Sequence, residues 1–366
     1  MMRTLRRYLF VQIAAVSALV LLVFLGLLFF LDFVNDLSDG GAGHAFGHAL
    51  LVVTLQLPGR AYEVLPIAVL TGTVYVLASL AASSEFTVMR MSGLSPGKAL
   101  RQLIGLGLCF TALLFVLGEL VVPASERLSA SLQASAQGGH FDTEMRSGLW
   151  LRNRLSGQDD QMINIGRVAA GGELRDVRIY VLDGSAHLVQ AVSARRASYQ
   201  SGGSWLLRDV TSVDLASLPD APLRLAHLPT LAWQTSVSPG MLDVLLLSTD
   251  NMSALDLWRY VDHLKANGQA VQRDETALWR KLLYPFSAIV MMMLALPFAY
   301  LHARSGQVSW KVFGGIMLGI SFILVNTLAA HLGILASWPG WLAAALPYLL
   351  YGGLALGAFF WRVQYR

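Results

Sequence analysis

The chain's 366 residues are 55% hydrophobic and 14% charged, with a mean hydropathy of +0.55: too apolar for a water-soluble globule and too polar for a bundle lying wholly in lipid. A net charge of +4 spread along the chain, with no basic block, excludes a nucleic-acid footprint. Cys109 is the only cysteine, so an intrachain disulfide framework and a cysteine-built zinc site are excluded as well.

A bilayer core takes about 20 apolar residues per helix, and Tyr8 to Leu31 supplies that length without a charge. This first span is too long for a signal-peptide core, and Asp32 to Asp39 offers no small-x-small cleavage site. Val64 to Ala82 and Leu103 to Val122 follow, then Leu282 to Leu301, Val312 to His331 and Trp341 to Trp361. Pro285, Pro297 and Pro347 are expected inside helices, where neighbouring helices satisfy the freed backbone groups. Gly315 with Gly319, and Gly353 with Gly357, have the spacing that lets helices approach closely, within the chain or between subunits. Lys and Arg concentrate on one side: Arg3, Arg6, Arg7, Arg90, Lys98, Arg101, Arg304, Lys311, Arg362 and Arg366. The short connections opposite, Asp32 to Glu63 and Leu332 to Gly340, hold only Arg60. With positive charge inside, both termini are cytoplasmic and the middle of the chain is external.

Between Gly148 and Val237 short alternating stretches replace the apolar runs: Met162 to Val168, Arg178 to Leu182, Leu188 to Val192, Trp205 to Val213 and Leu231 to Val237. Turn residues punctuate them, as at Gly171-Gly172, Asp183-Gly184, Gly202-Gly203 and Leu218 to Pro222. Period-two alternation with regular turns predicts an antiparallel sandwich or jelly roll, and a closed core is favoured over an open apolar groove. Ser253 to Leu264 carries a helical repeat that Asn267-Gly268 closes. The predicted layout is a membrane α-helical bundle of six spans, 3 + 3, with an inserted all-β domain: residues 1–123, 124–270 and 271–366.

Catalytic chemistry has no positive support. Gly93-Leu-Ser-Pro-Gly97-Lys98-Ala99 is one residue short of a phosphate loop and ends on Ala where the metal-binding hydroxyl belongs. His44 and His48 have i,i+4 spacing but no third ligand, so no metal is assigned, and no Gly-x-Ser-x-Gly elbow occurs. Two features stand out instead. Glu119 and Asp32 are carboxylates at the outer ends of spans, either functional or simply solvated at the interface. The cytoplasmic connection from Ser83 to Gly93, if helical, sets Phe86 and Met89 on one face and Val88 and Met91 nearly opposite. Such a knob suits a protein cleft; the alternative is a short interfacial helix capping the bundle.

Glu85-Phe-Thr-Val-Met-Arg-Met-Ser-Gly93, Gly118-Glu-Leu-Val-Val-Pro123, Trp279-Arg-Lys-Leu-Leu-Tyr-Pro285 and Ala295-Leu-Pro-Phe298, in this order on the 3 + β + 3 layout, resemble the lipopolysaccharide export permeases of Gram-negative bacteria. The resemblance covers essentially the whole chain and is closer to the G-type than to the F-type permease. It implies an inner-membrane half-permease, not itself an enzyme, that pairs with an F-type permease. It also implies a separate cytoplasmic ATPase dimer that uses ATP and Mg, with no cofactor in this chain. The β-domain would be a periplasmic jelly roll in a relay toward a single-span accessory protein, whose helix inserts beside the first span. Residues 83–93 would be the coupling helix, with Glu85, Phe86, Val88, Met89, Arg90 and Met91 meeting the ATPase. Lipid A phosphates require cations. Where family members commonly carry lysines, Asp36-Leu-Ser-Asp-Gly40 is acidic, which leaves Arg60 and Arg127 as candidates. Phe33, Ile67, Leu70 and Phe322 are the candidate tail contacts, chosen by depth. A lipoprotein-releasing permease would place its domain after the first helix, unlike this chain. A membrane-anchored enzyme or scaffold would show clustered acids, histidines or nucleophiles in the β-domain, and none stands out.

Overall fold

A computed structural model describes residues 2–39, 46–136, 149–153, 160–168, 173–183, 187–200, 204–215, 224–235, 252–266, 271–300 and 308–364. They form two compact units: Met1–Glu126 with Ser253–Leu257 and Gln272–Arg366, and Arg127–Met252 with Trp258–Val271.

Helices α1 (Met2–Asp39), α2 (Phe46–Ala82), α3 (Glu85–Met91) and α4 (Pro96–Val116) open the first unit. A π-helical segment, Leu117–Val121, joins α4 to α5 (Val122–Ala136). Among the described residues, six helices are long and apolar enough to cross a membrane. The stretch read as a connection from Asp32 to Glu63 is instead largely helical, running through the ends of α1 and α2. At 1.5 Å per residue, the 37 residues of α2 reach roughly 55 Å, well past a bilayer core of about 30 Å. Polar residues there mark emergence from lipid, not the end of the helix. The π-helical turn has a local cause. Pro123 lacks the N–H that would bond the Glu119 carbonyl, and widening the preceding turn relieves the clash.

Glycines set the helix contacts. A β-carbon at Gly72 would lie 2.8 Å from the Cα of Ser17, one at Gly319 3.0 Å from Ile67, and one at Gly315 3.2 Å from Val74. Gly315 and Gly319 therefore serve packing within the chain. A β-carbon at Gly353 or Gly357 would meet nothing within 4 Å.

After the β-domain come α6 (Ala254–Ala266), α7 (Gln272–Leu283), a 3-10 turn at Tyr284–Phe286 built around Pro285, α8 (Ser287–Ala299), α9 (Val308–Leu335) and α10 (Gly340–Gln364). The apolar core of this unit gathers Leu9 and Ile13, Leu70 and Leu77, Met291 and Leu296, and Phe322 and Tyr351.

The second unit holds β1 (Leu149–Asn153), β2 (Asp160–Val168), β3 (Leu174–Leu182), β4 (Leu188–Gln200), β5 (Ser204–Asp214) and β6 (Arg224–Gln234), all antiparallel and paired in chain order. The all-β domain stands, but among the described residues its connectivity is a meander rather than the crossed-over order of a jelly roll. Alternation reports that a strand has a buried face; it does not report which strand lies beside it. The sheet curls. Trp233 Nε1 on β6 donates to Gln161 Oε1 on β2 at 3.2 Å, whereas four strand spacings in a flat sheet would part these strands by roughly 19 Å. Curling lets one sheet cover itself, burying Ile163, Ile179, Leu207, Trp205 and Trp233 in a single closed core. The turns predicted at Gly171-Gly172, Gly202-Gly203 and Leu218 to Pro222 lie outside the described residues, as do Gly184 and the closing Asn267-Gly268.

Candidate functional site

The connection between α2 and α4 is a short helix held by two reversals. Ser84 takes a positive φ of 64° and turns the chain out of α2, and Gly93 at φ 97° turns it back toward α4. Glycine accommodates that angle without steric cost. Ser95 then caps α4, its Oγ accepting from the Lys98 N–H, with Pro96 at the first helical position. Lys98 Nζ donates to the Gly93 carbonyl at 3.1 Å, so in this arrangement the loop's one lysine ties the turn together.

Seven residues make two turns of helix, and their faces differ. Phe86 and Met89 are buried at 4% and 6% exposure, whereas Val88 and Met91 stand out at 57% and 77%. The buried face is anchored on Tyr300. Its ring meets Phe86 edge-on at 5.4 Å, and the Arg90 guanidinium lies 5.5 Å above it. Glu85 is exposed, accepting from Tyr8 Oη at 3.2 Å and Ser83 Oγ at 3.1 Å. Of the six residues expected to meet a partner, Phe86 and Met89 thus hold the helix down, and Glu85, Val88, Arg90 and Met91 are presented. Tyr8 and Tyr300 were not foreseen, since nothing local in sequence links them to a segment some 77 or more residues away.

Arg60 does not offer a vacant guanidinium. Its Nε and Nη2 donate to the two carboxylate oxygens of Asp32 at 2.8 and 3.0 Å, and Nη1 reaches Glu63 at 3.4 Å. This fork ties α1 to α2 and uses most of the donors a phosphate would need. Arg127 lies exposed on α5. The depth-based choice of tail contacts is corrected in three of four places: Ile67, Leu70 and Phe322 are 7%, 0% and 1% exposed and pack between helices. Depth along a span says nothing about which face of the helix a residue occupies. Phe33 is half-buried, between Phe29 and Phe46.

Glu119 is paired rather than merely solvated. Both its carboxylate oxygens accept from the Ala254 N–H, at 3.0 and 3.1 Å, while Ser253 Oγ accepts from the Asp256 N–H at 3.1 Å. An anion at a helix N-terminus, bonded to an otherwise orphaned donor, stabilises that start by about 1.5–3 kcal/mol. Glu119→Ala is expected to speed amide exchange at Ala254–Leu257 about tenfold or more, measured by hydrogen–deuterium exchange, while Glu119→Gln keeps part of the protection. Equal exchange in all three proteins would sink this capping role. His44 lies outside the described residues, so the His44 and His48 pair is not placed. Among the described residues no group of three or more metal-ligating side chains forms.

The sequence model of the lipopolysaccharide export system permease LptF/LptG family matches residues 7–362. The lipopolysaccharide export system permease protein LptG of Haemophilus influenzae is 28% identical over 358 residues, covering 96% of each chain. LptG of Escherichia coli K12 is 28% identical over 322 residues, covering 87% of each.

Proposed function

The chain belongs to the lipopolysaccharide export system permease LptF/LptG family, and on that premise we propose that it is the LptG-like permease subunit of an ATP-driven lipopolysaccharide exporter. The relatives that bear this name match nearly the full chain. It would sit in the inner membrane of a Gram-negative cell with both termini cytoplasmic and the β-domain periplasmic. There it extracts lipopolysaccharide from the outer leaflet toward a periplasmic bridge, paired with an F-type permease and served by a single-span accessory protein.

The observation that carries the coupling part of this reading is α3. Its inner face is locked by Phe86, Met89 and Tyr300, and its outer face presents Val88 and Met91. A rigid knob with a flexible, polarizable tip suits a cleft on a cytoplasmic ATPase dimer, which would bind the ATP and Mg. Conformational force applied to Val88 or Met91 passes through buried contacts into α2 and α8. Arg127 and Phe33 remain the candidate contacts for the lipid's phosphates and tails.

The test is co-purification of the tagged chain from its native membranes, with mass spectrometry of bound proteins and lipid, and ATPase activity with and without Glu85→Ala. Recovery of a second 3 + 3 permease, an ATPase and lipopolysaccharide is expected, with activity or assembly reduced in the variant. A lone chain carrying ordinary phospholipid would sink the reading.

A further inference from the structure

The β-domain carries a row of like charges that its own fold neutralises only in part. Arg167 pairs with Arg175 across β2 and β3, Arg175 with Arg196 across β3 and β4, and Arg196 with Arg208 across β4 and β5. Four exposed arginines on four adjacent strands stand side by side over about 14 Å, at roughly 4.8 Å per strand. Like charges placed directly opposite destabilise a sheet. Arg167 has a partner in Asp176 at 2.9 Å, and Arg175 a distant one in Glu173 at 4.0 Å. Among the described residues Arg196 and Arg208 have no ion pair.

Next to this row the ladders are interrupted. Asp176 and Asp209 both take φ of 55°, and Arg195 occupies the position between them on β4. Burial changes phase there. Leu174 and Val177, Ala194 and Ala197, and Leu207 and Val210 all face the core, so two consecutive residues in each strand are turned outward. The outward face then forms an open groove of about 650 Å³ whose polar lining is Arg178, Arg195, Ser193, Thr211, His227 and the carboxylates of Asp176 and Asp209, the first of them paired with Arg167. Thr211 Oγ1 and His227 Nδ1 stand 3.1 Å apart, while Arg178 and Arg195 have no ion-pair partner among the described residues.

We infer that this groove and the arginine row beside it bind a phosphate-bearing saccharide. Guanidinium forks match phosphate oxygens. The hydroxyls, the imidazole and the Asp209 carboxylate supply the mixed donors and acceptors that sugar hydroxyls require. The row is too long for a single phosphate. An acidic peptide that adds as a strand is disfavoured, since the arginines lie on β2 to β5, inside the strand order and away from its edges β1 and β6. The inference deepens the export reading, on which the choice of saccharide rests.

The full chain in phosphatidylcholine nanodiscs would be titrated with three probes: the saccharide obtained by complete deacylation of lipopolysaccharide, inositol hexakisphosphate, and poly-glutamate. The protein would be wild type, an alanine set (Arg178→Ala, Arg195→Ala, Arg196→Ala, Arg208→Ala) and a lysine set at the same positions. The expected result is saccharide binding that weakens at least tenfold in the alanine set and severalfold in the lysine set, and that falls as salt rises from about 0.05 to 0.5 M. The lysine set keeps the charge, so it remains informative should the alanine set misfold. Wild-type affinity in either folded set overturns the inference. So does tighter binding of poly-glutamate than of the saccharide, or arginine-dependent binding of inositol hexakisphosphate without binding of the saccharide. The two readings fail separately: a chain that exports lipopolysaccharide but ignores these arginines loses only the groove. A chain that binds the saccharide through them without being an exporter loses only the transport role.

Discussion

Val88→Glu with Met91→Glu is expected to strip the ATPase from the permease and abolish coupled hydrolysis while leaving the permease folded. Both side chains are largely exposed, so the folded chain loses little by the change. In a cleft, each would bury apolar surface stabilising the complex by about 1.5–3 kcal/mol, and together they account for roughly a hundredfold or more in affinity. Two carboxylates buried there without partners add a further penalty. The control is Phe86→Ala, on the opposite face of the same two turns. Phe86 is 4% exposed and packed edge-on against Tyr300, so its truncation leaves a cavity and costs about 3–5 kcal/mol of permease stability. Thermal unfolding and the amount of ATPase retained per permease separate the cases. The double glutamate variant keeps its melting temperature and loses the ATPase; Phe86→Ala loses melting temperature first. A double variant that still recovers ATPase in wild-type ratio would remove α3 as the docking element.

The same helix shows how much of the molecule is legible from sequence. The opposed faces of Phe86 with Met89 and Val88 with Met91 follow from helical periodicity alone, and the structure places them so. Which face turns inward does not follow, because that depends on Tyr300, more than two hundred residues away, and on the turn forced by Ser84. The six apolar spans were legible because lipid demands long uninterrupted runs. Their ends were not: helices α1 and α2 continue past the apolar stretch once the backbone can bond itself. Arg60 looked like a phosphate ligand because it was the only cation in its stretch. Asp32, 28 residues earlier, stands out in sequence as a carboxylate at a span end, but only the packing of α1 on α2 shows the two to be partners. In the β-domain, alternation found most strands, whereas Arg167, Arg175, Arg196 and Arg208 form a row only once the register is known.

Gly72→Val is expected to damage the membrane unit by forcing α1 away from α2. A β-carbon at position 72 would sit 2.5 Å from Ser17 Oγ, 2.7 Å from its backbone N and 2.8 Å from its Cα. Two of those atoms are backbone, so no rotamer change relieves the contact; the helices themselves must separate. Even Gly72→Ala should cost about 1–3 kcal/mol, the usual penalty of overpacking, and the branched side chain more. The helical penalty of glycine runs the other way, near 1 kcal/mol in favour of alanine, so a net loss on Gly72→Ala would itself show that approach outweighs propensity. Ser17 is 1% exposed and its hydroxyl has no hydrogen-bond partner among the described residues. Ser17→Gly should therefore remove the Oγ clash yet rescue Gly72→Val only in part, because the N and Cα remain. Gly353→Ala, where the new methyl meets nothing within 4 Å, is the matched control and should leave stability unchanged or slightly raised. Thermal unfolding of the purified chain in detergent, together with yield from membranes, reads all four. Full rescue by Ser17→Gly would mean the helices are held apart by the serine side chain alone, and the close backbone approach of α1 to α2 would have to be abandoned.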